Sequence, residues 1–216
     1  MRHFINQDMM ALNVMTFAVD EAVVVEFANL PAEGKFSSVS PSKEWNSDLE
    51  WISAADEPTF ELFETAFDRL GIADRAAPYL DIRTAVRLYA GFLVVRSYCT
   101  DVHFHVDWSE TNNEAFTFMT PVSGNGSDFG LLYKRLDESI GEYQYKPGQG
   151  IAFGDKFEHS TKPGRSEQPV MLLCFVYGTD KMDHWPKINR TVGTQVTHLR
   201  QPNGEFTRAT GGSAYS

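Results

Sequence analysis

The stretch His103-Phe104-His105-Val106-Asp107-Trp108, followed at a distance by His159, decides how this sequence is interpreted. In a β-strand the side chains alternate between faces, so His105 and Asp107 point the same way and can reach one ion. Two imidazoles and one carboxylate can occupy one face of a metal octahedron and leave the opposite positions open, an arrangement that suits non-haem Fe(II). We therefore predict that His105, Asp107 and His159 bind the metal and form the catalytic centre.

His103 leaves a second ligand set open. His103, His105 and Glu110, together with the distal His159, also fit the first metal motif of cupins. The second cupin motif fits poorly, and the pair Asp107-Trp108 favours the first set. Under the first set, His103 lies near the mouth of the metal site. The alternatives are thus a cupin-type isomerase or dioxygenase, and a non-catalytic jelly-roll binding module with incidental histidines.

Working outward, the sequence from Gly91 onward consists of short apolar segments separated by turn signals such as Pro147-Gly148 and Pro163-Gly164. The predicted strands are Phe92–Tyr98, His103–Trp108, Ala115–Pro121, Phe129–Lys134, Glu142–Tyr145, Gly150–Phe153, Phe157–Ser160 and Val170–Tyr177. Eight short strands at this spacing favour a β-sandwich or jelly roll. The fold class expected is mainly β with flanking helices.

The flanks are less regular. Residues Ala22–Ala28 are rich in β-branched side chains and predict a strand. Apolar residues at helical spacing predict a helix over Thr59–Leu70. The polar segment Gly34–Asp48 predicts a loop, and Asp81–Leu88 fits either a helix or a strand.

We expect a single domain over residues 1–216. Residues 1–88 are predicted to form an N-terminal strand and helix flank, residues 89–179 the jelly-roll core, and residues 180–216 a C-terminal extension. Trp185 and Pro186 are the expected anchors of this polar extension.

Composition narrows the function further. The 216 residues carry 19 Lys and Arg against 29 Asp and Glu, a formal charge of −10, which argues against a nucleic-acid partner. Cys99 and Cys174 are the only cysteines and are expected to be buried free thiols rather than a disulfide framework. The sequence contains no apolar run long enough to predict a membrane span, and its N-terminal residues do not resemble a secretory leader. We therefore expect a cytoplasmic protein.

From about Leu88 to Tyr177 the chain resembles the Fe(II)/2-oxoglutarate-dependent dioxygenase superfamily. The resemblance is carried by the order of several short motifs. These are Phe92–Tyr98, the H-x-D stretch His103–Trp108, Tyr145-Lys146-Pro147-Gly148-Gln149-Gly150-Ile151-Ala152-Phe153, His159 and the apolar strand Val170–Tyr177. It implies a double-stranded β-helix, that is, a distorted jelly roll, with Fe(II) at its open end.

The resemblance also implies a reaction. 2-Oxoglutarate is the expected co-substrate, dioxygen the oxidant, and a small molecule such as an amino acid or biosynthetic intermediate the substrate. Related halogenases replace the carboxylate ligand with a small residue, so Asp107 implies hydroxylation or another oxygenase outcome.

One departure concerns the co-substrate. Prolyl-hydroxylase-like members carry an Arg or Lys downstream of the distal His, and this residue pairs with the far carboxylate of 2-oxoglutarate. Here Gln168 occupies that position, and an amide is a weaker carboxylate partner than a guanidinium. Arg165, assisted by Gln168, is the favoured substitute, and Lys134 is the other. Arg96 is expected to meet an acidic substrate or an internal carboxylate.

Overall fold

The computed structural model describes residues 11–40, 48–76, 85–124 and 128–210. This part of the chain contains twelve strands. They are β1 (Val14–Ala18), β2 (Ser37–Val39), β3 (Glu50–Ser53), β4 (Val86–Cys99), β5 (Ala115–Ser123), β6 (Gly130–Lys134), β7 (Ile140–Gln144), β8 (Gln149–Phe153), β9 (His159–Thr161), β10 (Gly164–Thr179), β11 (His198–Arg200) and β12 (Phe206–Arg208). The helices are α1 (Glu21–Val25), a 3₁₀ helix (Glu26–Glu33), α2 (Glu57–Arg69), α3 (Ile72–Ala76) and α4 (Trp185–Gln195).

A large antiparallel sheet forms one wall of the molecule. Its strand order is β1-β8-β5-β10-β4-β3-β2. Strand β10 lies at its centre because Val170–Thr179 is apolar and buried on both faces. The predicted flank over residues 1–88 contributes β1, β2 and β3 to this sheet.

A second sheet, of order β7-β6-β9, faces the large one. Apolar side chains of the two sheets form a common core. They include Phe92, Val94, Leu172 and Cys174 from the large sheet and Leu131, Tyr133 and Tyr143 from the small one. The predicted fold class, mainly β with a double-stranded β-helix core, is confirmed.

Helix α2 covers the other face of the large sheet. Phe60, Phe63 and Phe67 are buried there. Gly91 allows the close approach, because a Cβ atom at this position would lie 2.4 Å from Cβ of Phe63. Asp56 caps the helix by accepting a hydrogen bond from the backbone N–H of Thr59. The helix predicted over Thr59–Leu70 is confirmed.

The strand predicted over Ala22–Ala28 is wrong. This segment forms α1 and the start of the 3₁₀ helix. The side chain of Asp20 caps α1 by accepting a hydrogen bond from the N–H of Ala22. Val23 and Val24 are buried in the outer core, the apolar cluster that also contains the phenylalanines of α2. Local capping and burial of one helical face therefore override the β propensity of the valines.

Seven of the eight strands predicted after Gly91 correspond to β4 to β10, and the exception is His103–Trp108. The predicted loop Gly34–Asp48 contains the short strand β2, and its residues 41–47 lie outside the described residues. Of the ambiguous segment Asp81–Leu88, residues 81–84 also lie outside them, and β4 begins at Val86.

The C-terminal extension includes a helix that the sequence did not predict. Trp185, at the start of α4, is buried and packs against Tyr89 with ring centroids 5.4 Å apart, so it acts as the expected anchor. Cys99 and Cys174 are buried free thiols, as expected. None of the helices in the described residues combines the length and apolarity that crossing a membrane requires.

Candidate metal centre

The structure brings three side chains together where β9 meets the segment that follows β4. One potential ligand atom from each of His105, Asp107 and His159 lies within 4.8 Å of the other two. Asp107 Oδ1 is 3.6 Å from His105 Nε2 and 3.8 Å from His159 Nε2. The donor set is the one predicted from the sequence, and two imidazole nitrogens and one carboxylate oxygen suit Fe(II).

Each imidazole is oriented by the backbone carbonyl of the residue two positions before it. His105 Nδ1 lies 3.0 Å from the carbonyl oxygen of His103, and His159 Nδ1 lies 3.0 Å from that of Phe157. A carbonyl oxygen can only accept, so each Nδ1 carries the proton and donates it. Each Nε2 therefore carries the lone pair, faces Asp107 and can act as a metal ligand.

Burial helps to keep His159 neutral. The His159 side chain is only 6% exposed, and burial lowers its pKa, although Asp107 acts in the opposite direction. A neutral imidazole is the form that binds a metal. The His105 side chain is 29% exposed, which leaves one side of the centre accessible.

Asp107 is held by residues from two other elements. Its Oδ2 accepts a 2.7 Å hydrogen bond from Thr117 Oγ1 on β5. Thr117 in turn accepts a hydrogen bond from Trp108 Nε1, a group that can only donate, so the Thr117 proton is directed to Asp107. Thr191 Oγ1 on α4 donates to the Asp107 carbonyl oxygen at 2.6 Å. Oδ1 is thereby left to face the histidines.

The prediction that His103–Trp108 forms a regular strand is wrong. The segment makes a single antiparallel bridge, in which the N–H groups of His105 and His159 each donate to the other residue's carbonyl at 2.9 Å. Side chains satisfy part of the remaining backbone, since Ser160 Oγ accepts from the N–H of His103. Beyond this segment the chain turns sharply, with left-handed backbone at Glu110, Asn112 and Asn113.

The cupin ligand set is not assembled. The Glu110 side chain is 77% exposed and pairs with Lys187 at 2.8 Å. His103 is exposed, and its ring centroid lies 6.0 Å from that of His105. In the described residues, His105, Asp107 and His159 form the group of histidine, cysteine and carboxylate side chains that could hold a metal.

The three residues predicted to bind the co-substrate have other contacts or are exposed. Lys134 pairs with Glu158 at 2.6 Å and covers the ring of Phe104. Arg165 is exposed and lies over the ring of Tyr98. Gln168 is exposed in a bulge where the register of β10 against β4 is interrupted. None of the three lines the cavity that contains Arg96.

A cavity between the two sheets contains a cation whose role the sequence left open. Arg96 on β4 lines it together with Tyr145, Thr161 and apolar side chains. A signal for this placement was present in the sequence: Arg96 follows Phe92 and Val94 at alternate positions, so it shares their inward face.

Comparisons with known proteins agree with this fold. No protein-family model and no curated protein matches the sequence. Several solved structures match in three dimensions, at low sequence identity. HygX from Streptomyces hygroscopicus, solved with nickel and 2-oxoglutarate, has a TM-score of 0.56 and 14% identity, and the match covers 79% of this chain and 84% of HygX.

Two further structures give the same result. A prolyl-4-hydroxylase from Pseudomonas putida has a TM-score of 0.53 and 14% identity over 79% of this chain and 95% of that one. A 2OG-Fe(II) oxygenase family oxidoreductase from Burkholderia pseudomallei has a TM-score of 0.62 and 8% identity over 79% and 87%. The chain therefore has the double-stranded β-helix fold of the Fe(II)/2-oxoglutarate oxygenases.

Proposed function

We propose that this protein is an Fe(II)/2-oxoglutarate-dependent oxygenase that oxidises a small molecule. The observation that carries the proposal is the convergence of His105, Asp107 and His159, with ligand atoms within 4.8 Å of one another. The fold adds support, because structures that share it were solved with iron, or with nickel and 2-oxoglutarate.

The residues of the chain prepare the metal position in three ways. The two backbone carbonyls that accept from the Nδ1 atoms fix both Nε2 lone pairs. Thr117 holds one oxygen of Asp107 and leaves the other for the metal. Fe(II) held by these three donors on one face would keep its opposite coordination positions for a chelating keto acid and dioxygen. Fe(II), when bound with 2-oxoglutarate, supplies the activation of dioxygen.

Asp107 bears on the outcome of the reaction. It occupies the ligand position with a carboxylate, which leaves no vacancy for a halide at that place. We therefore propose oxygenation, with hydroxylation of an unactivated carbon as the simplest case. An epimerase with this fold, SnoN, shows that other outcomes exist among such structures.

A small-molecule substrate is proposed for two reasons. The formal charge of −10 disfavours nucleic acid. HygX was also solved with hygromycin B, so the fold accommodates a small molecule beside the metal and 2-oxoglutarate in that protein.

The test is metal-dependent turnover of the co-substrate. Protein purified without oxygen is loaded with Fe(II), supplied with dioxygen and 2-oxoglutarate, and assayed for succinate release across a metabolite panel. We expect succinate release to rise with one class of metabolite and to be absent in Asp107→Ala.

Two results would contradict the proposal. Retention of no Fe(II) after dialysis would favour the non-catalytic binding module. Loss of iron in Glu110→Ala but not in Asp107→Ala would favour the cupin ligand set.

A further inference from the structure

The side chain of Arg96 lines a cavity that belongs to the interior of the double-stranded β-helix. The space in and before it amounts to about 300 Å³ when the open solvent at its mouth is counted. Its walls are mostly apolar, from Val94, Met119, Phe129, Val170 and Leu172. The polar groups in it are the guanidinium of Arg96 and the hydroxyls of Tyr145 and Thr161.

Arg96 has no acidic partner in the described part of the chain. Its Nη1 donates to Thr161 Oγ1 at 2.8 Å, and no carboxylate forms an ion pair with it. Asp48 acts on it electrostatically, but the carboxylate of Asp48 already accepts hydrogen bonds from the N–H groups of Ser97 and Tyr98. Burial lowers the pKa of Arg96, yet an arginine stays charged at neutral pH. An enclosed cation without a counter-ion is costly, which indicates an anionic ligand.

Strand β9 connects this cavity to the metal centre, since it carries both Thr161 and His159. Thr161 follows His159 by two residues on β9, so their side chains lie on the same face of the strand. Asp107 raises and Arg96 lowers the pKa of both Cys174 and Tyr145, so both charged groups face these two side chains. The Arg96 side chain therefore lies on the metal-ligand side of β9, through its hydrogen bond to Thr161.

The two hydroxyls complete the site. The Thr161 hydroxyl accepts from Arg96, so its own proton is left for another acceptor. Tyr145 is buried, burial raises its pKa, and its hydroxyl lies 3.8 Å from Met119 Sδ, a weak acceptor. Both groups can donate to an anion that also pairs with the guanidinium.

We propose that Arg96, with Thr161 and Tyr145, binds the 5-carboxylate of 2-oxoglutarate. This rests on the proposed function. The cation comes from β4, the strand before the first metal ligands, rather than from the segment after His159, where Gln168 stands. Arg96 thereby selects a keto acid with a second carboxylate at the far end, because a monocarboxylate would leave the guanidinium unpaired among apolar walls.

The test compares two keto acids. 2-Oxopentanoate keeps the 1-carboxylate, the 2-oxo group and the five-carbon chain of 2-oxoglutarate but lacks the 5-carboxylate. Dissociation constants for both are measured by calorimetry on protein loaded with Mn(II), so that no turnover occurs. In the wild type we expect 2-oxoglutarate to bind on the order of 30-fold or more tightly than 2-oxopentanoate.

In Arg96→Met the ratio of the two dissociation constants is expected to fall to within about threefold, with the change confined to 2-oxoglutarate. Met is chosen because it fills a similar volume without charge. Lys134→Met and Arg165→Met are matched controls and are expected to keep the wild-type ratio. Arg96→Lys keeps a charge without the planar fork and is expected to lower the ratio only in part; it also decides the matter if Arg96→Met does not fold.

The possible failures are distinct. An unchanged ratio in the Arg96 variants, or a collapsed ratio in Lys134→Met or Arg165→Met, would overturn the assignment of Arg96 while leaving the proposed function intact. Equal binding of the two keto acids by the wild type would also overturn it. Absence of Mn(II) binding, or of any keto-acid binding by metal-loaded wild type, would instead contradict the proposed function.

Discussion

Two largely buried aspartates, Asp107 and Asp155, differ in how their carboxylate oxygens are used. Little of either is exposed: the side chain of Asp107 is 9% exposed, and Asp155 as a whole residue is 6% exposed. Asp155 directs both oxygens to the loop after Trp108: it accepts from the N–H and the hydroxyl of Thr111 and from the N–H of Asn113. Asp107 uses one oxygen for Thr117 and leaves the other facing two imidazoles.

The difference indicates what a carboxylate needs if it is to bind a metal in this fold. Burial does not distinguish them, and neither does residue type. The distinguishing feature is Oδ1 of Asp107, which accepts no hydrogen bond from the described residues and lies beside His105 and His159, the other two candidate ligands. Substitution of Asp107 should therefore affect mainly metal binding, and substitution of Asp155 mainly the free energy of unfolding.

The largest effect is expected for Asp107→Ala. Removal of one of three ligands should weaken Fe(II) binding by more than about 100-fold, since loss of a mere supporting residue already costs 10- to 100-fold. The free energy of unfolding without metal should change by only about 1 kcal/mol, the value of one hydrogen bond. Metal titration and denaturant unfolding measure the two quantities. Undiminished iron binding would remove Asp107 from the ligand set.

Asp155→Ala should show the reverse pattern. It removes the acceptor of two backbone N–H groups and of one hydroxyl, and Thr111, which supplies two of these three donors, is buried. The free energy of unfolding should therefore fall by about 2–3 kcal/mol. The variant should still gain thermal stability when Fe(II) is added, because ligand binding to the folded state raises the midpoint. A variant that is as stable as wild type, or that no longer responds to metal, would break the contrast between the two aspartates.

Thr117→Val tests the group that holds Asp107 in place. The substitution keeps the shape and removes the hydroxyl between Trp108 and Asp107. We expect metal affinity to fall about 10-fold through poorer orientation of the ligand. A measured affinity equal to that of wild type would mean that the backbone alone positions Asp107.

Glu110→Ala should have the smallest effect. Its carboxylate is 77% exposed and pairs with Lys187, and exposed ion pairs contribute little. Metal affinity should be unchanged and the free energy of unfolding should change by less than about 0.5 kcal/mol. A marked loss of metal here would revive the cupin ligand set.

Local sequence patterns predicted much of the fold. The strands β4 to β10 and helix α2 follow from apolar periodicity and turn residues, which act over a few positions. The segment after Asp20 was predicted wrongly because capping by Asp20 and packing of Val23 and Val24 on the outer core outweighed their β propensity. Helix α4 was missed because its sequence is polar and its anchoring contact, Trp185 on Tyr89, is far away in the chain.

For the site, the sequence by itself restricted the candidate metal ligands to a small set, because few residue types can bind Fe(II) and His105, Asp107 and His159 are among them. The alternation of side chains along a strand was the wrong reason for pairing His105 with Asp107, since this segment makes only a single bridge. Only the tertiary structure decided which cation faces the interior. Lys134, Arg165 and Arg96 carry the same charge in the sequence, and a long side chain can pair with any acid within reach. It is the packing of β4 against β9 and β10 that leaves Arg96 enclosed without an acidic partner in the described residues, whereas Lys134 pairs with Glu158 and Arg165 is exposed.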